Sequence, residues 1–542
     1  MRSTTLRMLG LAAVAALAAC EPDRESDEVE PIPAEPRAAQ PVPAHAADAP
    51  AGIAWFEGAV EQAFERARAQ GKPVFLFWGA AWCPYCADLK AHVFTRRDVQ
   101  ERLQLFVPVY LDGDDPGAQR WGEELGVAGY PTVLALRADR TELARIAGGM
   151  DLELYDDMLD LVLGDVRPID ALLEAATHDG AALARDDCKR LAYNGWGLED
   201  DPPPAEGIAR AEALAAAAAA CPADARVERA RLLAVAAAYA VDAEGAADEG
   251  AQPSERLARL VGEVRDVVAD RPTAAAAADA LQSLDGDFFA VAKRLDPEGA
   301  EGLLADWSAV MDLATDDPRY TEGDRLAAVR SKLEAVKAFR GDIPPALADA
   351  ARTRAHEALE RTRGTPARPG VVNAAVNLLV TLDDFGAAYA VAEAALAESK
   401  TPYYQMADLA ALEERMGNPE GAIAWLERAY RESQGAATRF QWGTNYVRGL
   451  IRMRPDDEAA VRDAAVAVLG ELDGPERLYR RTRARLESLE AALRQWSEHG
   501  QHEAALAAIR GRMAEICAGM PPTEAEALAR CRAFLAPATE GA

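Results

Sequence analysis

The feature that most constrains the fold is a pair of cysteines placed directly after a short hydrophobic run. The run "VFLFW" spans residues 74–78, and the motif "WCPYC" spans residues 82–86. A continuous apolar run of this length is typical of a strand that is buried on both faces. Pro84 favours the first turn of a helix, where its missing N–H costs nothing. The pattern therefore predicts a strand, a tight connection that carries Cys83, and a helix that begins beside it.

The flanking sequence extends this motif into an α/β pattern. A stretch with apolar residues at helical spacing precedes the first run and ends at Gly71. Further predicted elements are strands at residues 106–111, 132–136 and 143–147 and helices after the cysteines, at residues 119–125 and at residues 152–163. The order is αβαβαββα, and it defines an α/β domain over residues 52–165.

These motifs resemble those of the thioredoxin fold. Residues 82–86 match the W-C-x-x-C active site of that family, and residues 130–132 (Tyr-Pro-Thr) match the loop that carries its cis-proline. The segment "KPVFLFWGAAWCPYCADLKAHVF" is especially similar to periplasmic thioredoxin-like domains related to the C-terminal domain of DsbD. A CxxC motif that opens a helix, with a Tyr-Pro-Thr element about 45 residues further on, is much more specific than CxxC alone.

The resemblance implies thiol–disulfide chemistry at the cysteine pair. The N–H groups at a helix N-terminus favour negative charge, so we expect Cys83 to be the nucleophilic thiolate and the more buried Cys86 to be the resolving thiol. Cys83 would attack a substrate disulfide and Cys86 would resolve the mixed disulfide, or the cycle would run in reverse. The residues expected to contact an extended substrate segment are Trp82, Pro84, Tyr85, Tyr130 and Pro131.

Two other interpretations of the pair stay open at this point. A zinc site normally needs four ligands, and the nearby candidate is His92, with no second CxxC in the sequence. A purely structural disulfide is the other, although so small a loop constrains the unfolded chain little. We expect no metal and no cofactor.

One position departs from the thioredoxin pattern. Phe77 stands six residues before the first cysteine, where thioredoxins often bury an acid that relays protons to the resolving thiol. Redox pairs of this kind span about −120 to −270 mV. The sequence therefore does not distinguish a reductase from an isomerase or an oxidase.

The N-terminal segment predicts export and anchoring. Residues 1–19 combine two arginines, an apolar stretch and small residues, which is typical of a secretory signal peptide. The sequence Leu-Ala-Ala-Cys that ends at Cys20 is similar to the lipobox of bacterial lipoproteins, which implies lipidation of Cys20; an ordinary cleaved signal is the alternative. Residues 20–51, rich in Pro, Ala and Glu, predict a disordered tether. In lipoproteins of this kind, Glu rather than Asp after the lipidated cysteine favours the outer over the inner membrane, so the resemblance implies a periplasm-facing lipoprotein of the outer membrane.

Residues 166–542 predict a larger all-α domain of helical hairpins. Alanine-rich amphipathic stretches fill this region and are broken by turns such as "EDDPPPAEG". Ala388 and Ala422 are 34 residues apart (388 to 422), which is the period of a tetratricopeptide repeat, and a third unit near "HGQHEAALAAI" is out of phase. The expected architecture is an α/β thioredoxin-like domain followed by a TPR-like solenoid. Such a solenoid offers a groove for partners, or serves as a passive scaffold.

The other cysteines form an even set. Local pairing would join Cys188 to Cys221 and Cys517 to Cys531, as structural disulfides in an oxidising compartment. Buried free thiols are the alternative.

The charge of the chain excludes one class of partner. Its formal net charge is −30, without a basic stripe that could neutralise phosphates, so we expect no binding of nucleic acid. The expected function is that of an envelope-anchored thiol:disulfide oxidoreductase that acts on periplasmic proteins with cysteines or disulfides, served by a membrane reductant or oxidant of the Dsb type. The alternative is a non-enzymatic interaction scaffold whose thioredoxin-like domain is a docking module.

Overall fold

A computed structural model describes most of the chain from residue 49 to residue 536. The described ranges are 49–115, 117–127, 129–146, 155–164, 166–178, 182–197, 204–244, 252–473, 478–498, 502–522 and 525–536. The predicted signal peptide, Cys20 and most of the predicted tether lie outside these ranges. Within them, no helix combines the length and the apolar character needed to cross a bilayer.

The first domain is built on a four-stranded mixed sheet. Its elements are α1 (Val60–Gln70), β1 (Val74–Gly79), α2 (Pro84–His92), α3 (Arg97–Leu103), β2 (Val107–Asp112), α4 (Ala118–Glu124), β3 (Thr132–Leu136), β4 (Glu142–Ile146) and α5 (Tyr155–Leu161). The strand order is β2-β1-β3-β4. β2 runs parallel to β1, and β3 runs antiparallel to both β1 and β4. β1 is therefore a central strand that leads directly to the cysteines.

Helices cover both faces of the sheet. All six residues of β1 are buried, and successive side chains point to opposite faces. Leu76 and Trp78 pack in one cluster with residues of α1 and α4. Phe75 and Phe77 pack in another cluster with residues of α2, α3 and α5. The second cluster continues into the helical domain, so the two domains share one core.

Between β1 and β2 the structure has two helices, whereas the sequence pattern predicted one. α2 ends at His92, and residues 93–95 separate it from α3. Arg96 precedes α3 with extended backbone (φ −74°, ψ 132°), which interrupts the helical path. Asp98 then accepts the N–H of Val99 and places negative charge in the first turn of α3, which favours a new helix start. The single-helix prediction was wrong.

The second domain is helical. Its helices are α6 (Ile169–His178), α7 (Arg185–Ala192), α8 (Pro204–Ala220), α9 (Arg226–Glu244), α10 (Glu255–Ala269), α11 (Arg271–Ala276), α12 (Ala278–Leu281), α13 (Gly286–Leu295), α14 (Pro297–Asp316), α15 (Glu322–Arg340), α16 (Pro345–Arg361), α17 (Arg368–Thr381), α18 (Phe385–Leu396), α19 (Tyr403–Arg415), α20 (Pro419–Glu432), α21 (Ala436–Met453), α22 (Glu458–Leu469), α23 (Arg480–Trp496), α24 (Glu503–Ala518) and α25 (Ala525–Ala533). From α17 to α22 each helix packs against the next, as in a series of hairpins. A small α/β domain followed by a larger all-α domain is the predicted fold class, which is confirmed.

A 34-residue spacing is visible in the caps of α18 and α20. The side chain of Asp384 accepts the N–H of Ala387, and the side chain of Asn418 accepts the N–H of Gly421. The two capping residues are 34 positions apart (384 to 418), and each satisfies an N–H that a helix start leaves unpaired. Small residues of this region that are buried are Ala388, Ala395, Ala410, Ala422 and Ala429.

The helical domain also covers the outer edge of the sheet. The N–H of Arg145 in β4 donates to Asn194 Oδ1 at 3.0 Å, and the N–H of Gly195 donates to the carbonyl oxygen of Arg145 at 2.7 Å. The fully buried Arg190 donates from Nη2 to the carbonyl oxygen of Leu143 at 2.5 Å. An uncovered strand edge could pair with other chains. These bonds instead join the sheet to the segment around α7.

Two disulfides connect neighbouring helices. Cys188 in α7 is bonded to Cys221, which follows α8, with 5.9 Å between their Cα atoms. Cys517 in α24 is bonded to Cys531 in α25, with 5.8 Å between their Cα atoms. These are the pairs that local spacing predicts.

We expect the disulfide with the longer loop to contribute more stability. The sequence separations are 33 and 14 residues. Loss of loop-closure entropy predicts that Cys188→Ala/Cys221→Ala lowers the free energy of unfolding by about 3.8 kcal/mol and Cys517→Ala/Cys531→Ala by about 3.0 kcal/mol. Urea denaturation of both double variants, followed by circular dichroism, measures the difference. Equal losses, or a larger loss at the C-terminal pair, would contradict this expectation.

Candidate active site

Cys83 lies at the start of α2, where the helix favours negative charge on its sulfur. It occupies the N-cap position with extended backbone (φ −78°, ψ 116°), and Pro84 is the first helical residue. The Cys83 Sγ accepts the N–H of Cys86 at 3.1 Å. The unpaired N–H groups and the dipole of a helix N-terminus stabilise an anion in this position. Cys83 and Cys86 are not bonded to each other.

Cys86 lies beneath Cys83 and is fully buried. Burial raises the pKa of the Cys86 thiol well above its ordinary value, and the hydrogen bond and charge of Cys83 raise it further. Cys86, which was predicted to be the resolving thiol, therefore keeps its proton in the free site.

The space behind Cys86 holds an aromatic residue and a lysine in place of an acid. Phe77 is fully buried, and its ring stacks on that of Tyr110 with 5.2 Å between centroids. Lys90 follows Cys86 by one helical turn, and its Nζ donates to the Tyr110 hydroxyl at 3.1 Å. The positive charge of Lys90 lowers the pKa of Cys86, against the stronger effect of burial. Sequence reasoning missed Lys90, although its position at i+4 places it on the same helix face.

The Tyr-Pro-Thr loop lies beside the cysteine motif. The peptide bond between Tyr130 and Pro131 is cis, as the resemblance implies. The Tyr130 ring packs edge-on against Trp78 and Trp82, with centroid distances of 4.6 and 5.7 Å. Its hydroxyl accepts a hydrogen bond from Gln119 Nε2 at 3.0 Å. The structure thus brings the two predicted halves of the site together.

Comparison with known proteins agrees with this geometry. Residues 60–163 match the family model described as "Thioredoxin-like domain". That part of the chain is a thioredoxin-like domain. No curated protein matches the sequence. A solved structure titled "Circular tandem repeat protein with novel repeat topology and enhanced subunit contact surfaces" is 15% identical to this chain. The match covers 71% of this chain and 84% of that one, with a TM-score of 0.16.

The helical domain covers the surface of the thioredoxin-like domain around Cys83. We call this surface the dithiol face; it comprises Trp82, Cys83, Pro84, Tyr85, Tyr130 and Pro131. The indole N–H of Trp82 donates to Thr438 Oγ1 at 2.9 Å. The Trp82 ring stacks on Tyr404 and meets Trp442 edge-on, with centroid distances of 6.1 and 6.0 Å. The residue predicted to contact substrate therefore contacts the chain's own α19 and α21.

The opposite side of the dithiol face is covered by α23. The Arg481 guanidinium lies over the rings of Tyr130 and Trp82, 4.1 and 5.3 Å from their centroids. Nearby, Arg483 Nη1 and Glu123 Oε1 form an ion pair at 3.2 Å. A cation over an aromatic face is attracted by the ring quadrupole. The loop with the cis-proline is thus also held against the helical domain.

Tyr85 lies at the rim of this interface. Its side chain is 54% exposed, and its hydroxyl accepts a hydrogen bond from Asn373 Nδ2 at 3.2 Å. The Tyr404 hydroxyl donates to Asn373 Oδ1 at the same distance. Asn373 therefore links the CxxC motif to α19, and the exposed ring of Tyr85 marks the side of the site that faces solvent.

Asp114 joins the two domains at the start of α21. The Thr438 backbone N–H donates to Asp114 Oδ1 at 3.2 Å, and the Thr438 hydroxyl donates to Asp114 Oδ2 at 2.8 Å. Trp82 Nε1 also donates to Asp114 Oδ2, at 3.2 Å. Burial raises the pKa of Asp114 to about 6, against the hydrogen bond from Thr438. A carboxylate from one domain thus caps a helix of the other.

Asp88 makes a similar contact from α2. The Thr321 hydroxyl at the start of α15 lies 3.5 Å from Asp88 Oδ2. Gly370 in α17 leaves room for the carboxyl group, because a Cβ at that position would lie 2.6 Å from Asp88 Oδ2. Burial first, and then the charge of Asp324, raise the pKa of Asp88 to about 8. The contact is therefore most favourable when Asp88 is protonated.

The described residues form no metal site at the cysteines. Among the described residues, no group of three or more His, Cys, Asp or Glu side chains is placed to hold a metal ion. The zinc candidate His92 lies with its Nδ1 3.7 Å from Asp88 Oδ1. Cys20 lies outside the described residues.

The raised pKa of Asp88 predicts a specific pH dependence of stability. The folded chain binds the proton more tightly, so the stabilising contribution is complete below about pH 4 and declines as pH rises through 8. Asp88→Asn keeps the shape without the charge. At pH 8 it should raise the free energy of unfolding by about 1–3 kcal/mol, the usual cost of a poorly satisfied buried polar group, with little effect at pH 4.

Urea unfolding at several pH values measures this effect, and Asp324 and His92 are the other titratable groups that face Asp88. Asp98→Asn is the matched control, and its effect on stability should have the opposite sign. The hydrogen bond from Arg96 lowers the pKa of Asp98, so removing the carboxylate should reduce stability at neutral pH. If the free energy of unfolding falls between pH 4 and 8 as steeply in Asp88→Asn as in the parent, Asp88 is not the group responsible.

Proposed function

We propose that the chain is a thiol:disulfide oxidoreductase in which Cys83 is the nucleophile and Cys86 the resolving thiol. The observation that carries the proposal is the position of Cys83 Sγ at the N-cap of α2, 3.1 Å from the N–H of Cys86 and beside the cis peptide bond before Pro131. The thioredoxin-like domain supports a redox role in general. The local geometry supports the specific pair.

The reaction needs only sulfur chemistry. The Cys83 thiolate attacks one sulfur of a substrate disulfide, a new S–S bond forms, and the other substrate sulfur leaves as a thiolate that takes up a proton. Cys86 then loses its proton and attacks Cys83 Sγ, which releases the second substrate thiol. The substrate disulfide is reduced to two thiols, and Cys83 and Cys86 are oxidised to a disulfide. An external dithiol restores the pair, and an oxidase runs the same steps in reverse.

The intermediate itself eases the deprotonation of Cys86. In the free site the hydrogen bond and charge of Cys83 raise the pKa of Cys86. Once Cys83 is part of a mixed disulfide, this negative charge is gone, and the pKa of Cys86 falls. The charge of Lys90 acts in the same direction. Together these effects allow the resolving step without the buried acid that Phe77 replaces, with water as the proton acceptor.

We further propose that the chain works in a bacterial cell envelope as a periplasm-facing lipoprotein. The signal-like sequence before Cys20 supports export and lipidation. The two disulfides of the helical domain support an oxidising compartment. Proteins with cysteines or disulfides would be its substrates, and a membrane protein of the Dsb type would exchange electrons with the pair.

A second candidate function is that of an interaction scaffold without turnover. The observation that favours it is the cover over the dithiol face, since Cys83 is only 4% exposed. In that case the binding of partners would survive the loss of both cysteines.

We expect the two cysteines to give different phenotypes. Cys83→Ser should lower the rate of reduction of a model disulfide by at least about 100-fold, because the nucleophile is lost. Cys86→Ala should accumulate a mixed disulfide on Cys83, visible by mass spectrometry under non-reducing conditions. The control is Cys517→Ala/Cys531→Ala, which removes two distant cysteines and should keep the parent rate. A parent rate in Cys83→Ser would refute the proposal and leave the scaffold.

A further inference from the structure

We propose that the helical domain is a lid that selects substrates of the dithiol by size. In the docked state small-molecule disulfides reach Cys83, and folded proteins reach it only after the lid is released. The inference rests on the proposed thiol–disulfide chemistry and specifies the substrate class of the same site. The lid consists of the helices that cover the dithiol face, which are α17, α19, α21 and α23.

The first support is how completely the helices of the lid bury the dithiol face. Trp82 and Cys83 are 9% and 4% exposed, and Pro84 and Pro131 are buried. A disulfide within a folded protein must bring its own backbone beside the attacking sulfur. The space beside Trp82 that such a segment would need holds Tyr404 and Trp442 of the chain itself. A folded protein therefore cannot approach Cys83 while these helices are docked.

The second support is a polar approach on the side of Tyr85. Burial first, and then the charges of Asp408, Tyr85 and Cys83, raise the pKa of Tyr404, so these groups surround its hydroxyl. Burial also raises the pKa of Asp408 to about 7. The exposed ring of Tyr85, which follows Cys83 by two positions, keeps the rim of the interface open to solvent on this side. A small disulfide would approach Cys83 from there.

The third support is the nature of the contacts that hold the lid. Thr438 binds Asp114 and Trp82 through one hydroxyl group. The ion pair of Arg483 with Glu123 is partly exposed. The rings of Trp82 and Trp442 also belong to the core that the two domains share, so release of the lid exposes them and the open state is a minor one.

The size selection follows from population arithmetic. A substrate that needs the open state reacts at a rate scaled by the fraction of molecules that are open. A substrate that enters the docked state is insensitive to this fraction. A change that weakens docking tenfold should therefore raise the rate with proteins by about tenfold and leave the rate with small disulfides unchanged.

Gly370→Ala tests the lid by adding a methyl group to the interface between α17 and α2. The added Cβ would lie 2.6 Å from Asp88 Oδ2, so the Asp88 carboxyl group must leave its present position against α17. Alanine is the better helix former, so α17 itself should not be weakened. Gly262→Ala in α10 is the matched control, because its Cβ would meet nothing within 4 Å. Thr438→Val is the second variant, which removes the shared hydroxyl with little change in shape.

The experiment measures how fast Cys83 reacts with a small and a bulky reagent in the full chain. In a Cys86→Ala background, Cys83 is labelled with iodoacetamide or with a polyethylene-glycol maleimide, and the labelled peptide is quantified by mass spectrometry. Gly370→Ala and Thr438→Val should each speed the bulky reagent by about tenfold and change iodoacetamide less than about twofold. Gly262→Ala should match the parent. If the bulky reagent labels the parent as fast as it labels both lid variants, the lid is overturned.

Turnover assays distinguish the proposed lid from the proposed oxidoreductase activity. With Cys86 present, the lid predicts that Gly370→Ala reduces insulin faster than the parent does and hydroxyethyl disulfide at the parent rate. If neither compound is reduced by any variant, the oxidoreductase proposal fails, while the labelling ratio still decides whether the lid exists. If both rates rise equally, the size selection is refuted and the oxidoreductase stands.

Discussion

The hydrogen bond from the N–H of Cys86 to Cys83 Sγ is the interaction on which the rest of the site depends. It requires that a helix begin at Pro84, that the buried strand β1 deliver the chain to that point, and that Cys86 turn into the core beneath Cys83. The same turn fixes Trp82, which presents its indole N–H to the helical domain. Sulfur chemistry and domain docking are thus governed by one short segment.

The parts of the site that local sequence determines were predictable. The buried run before the cysteines, the helix at Pro84 and the Tyr-Pro-Thr loop depend on neighbours within a few positions, and the structure has them where the patterns place them. The start of α3 was missed because residues 93–96 contain no Gly or Pro that would signal a break in the helix. The boundary depends on backbone geometry rather than on composition.

The contacts between the domains could not be predicted from one sequence. Thr438 is 356 positions from Trp82, and no local pattern relates the two. Asn373, Tyr404 and Arg481 read as ordinary helix residues until the fold brings them to the dithiol face. Gly370 ends the stretch "GTPARPG", whose Gly and Pro residues are typical of a turn, yet it lies in α17, and its missing side chain is what admits Asp88. Long-range packing of this kind is visible only in three dimensions.

The helical domain therefore has a more specific structural role than the sequence indicated, because it packs on the dithiol face. The pattern of hairpins predicted a groove for partners or a passive scaffold, but the helices from α17 to α23 include several that contact the thioredoxin-like domain at the dithiol face. Two carboxyl groups, Asp88 and Asp114, reach from that domain to helix starts in the other. Helix starts favour negative charge, while burial opposes it, so these contacts hold the domains together with modest strength.

The central claim is that Cys83 and Cys86 form a reversible dithiol–disulfide pair. Equilibration of the purified chain with mixtures of a reduced and an oxidised thiol, followed by mass spectrometry of the peptide with both cysteines, tests it most directly. The account predicts a single two-electron transition with a midpoint potential between about −270 and −120 mV. On oxidation the peptide should lose the mass of two hydrogen atoms. Cysteines that stay unpaired across this whole range would contradict it.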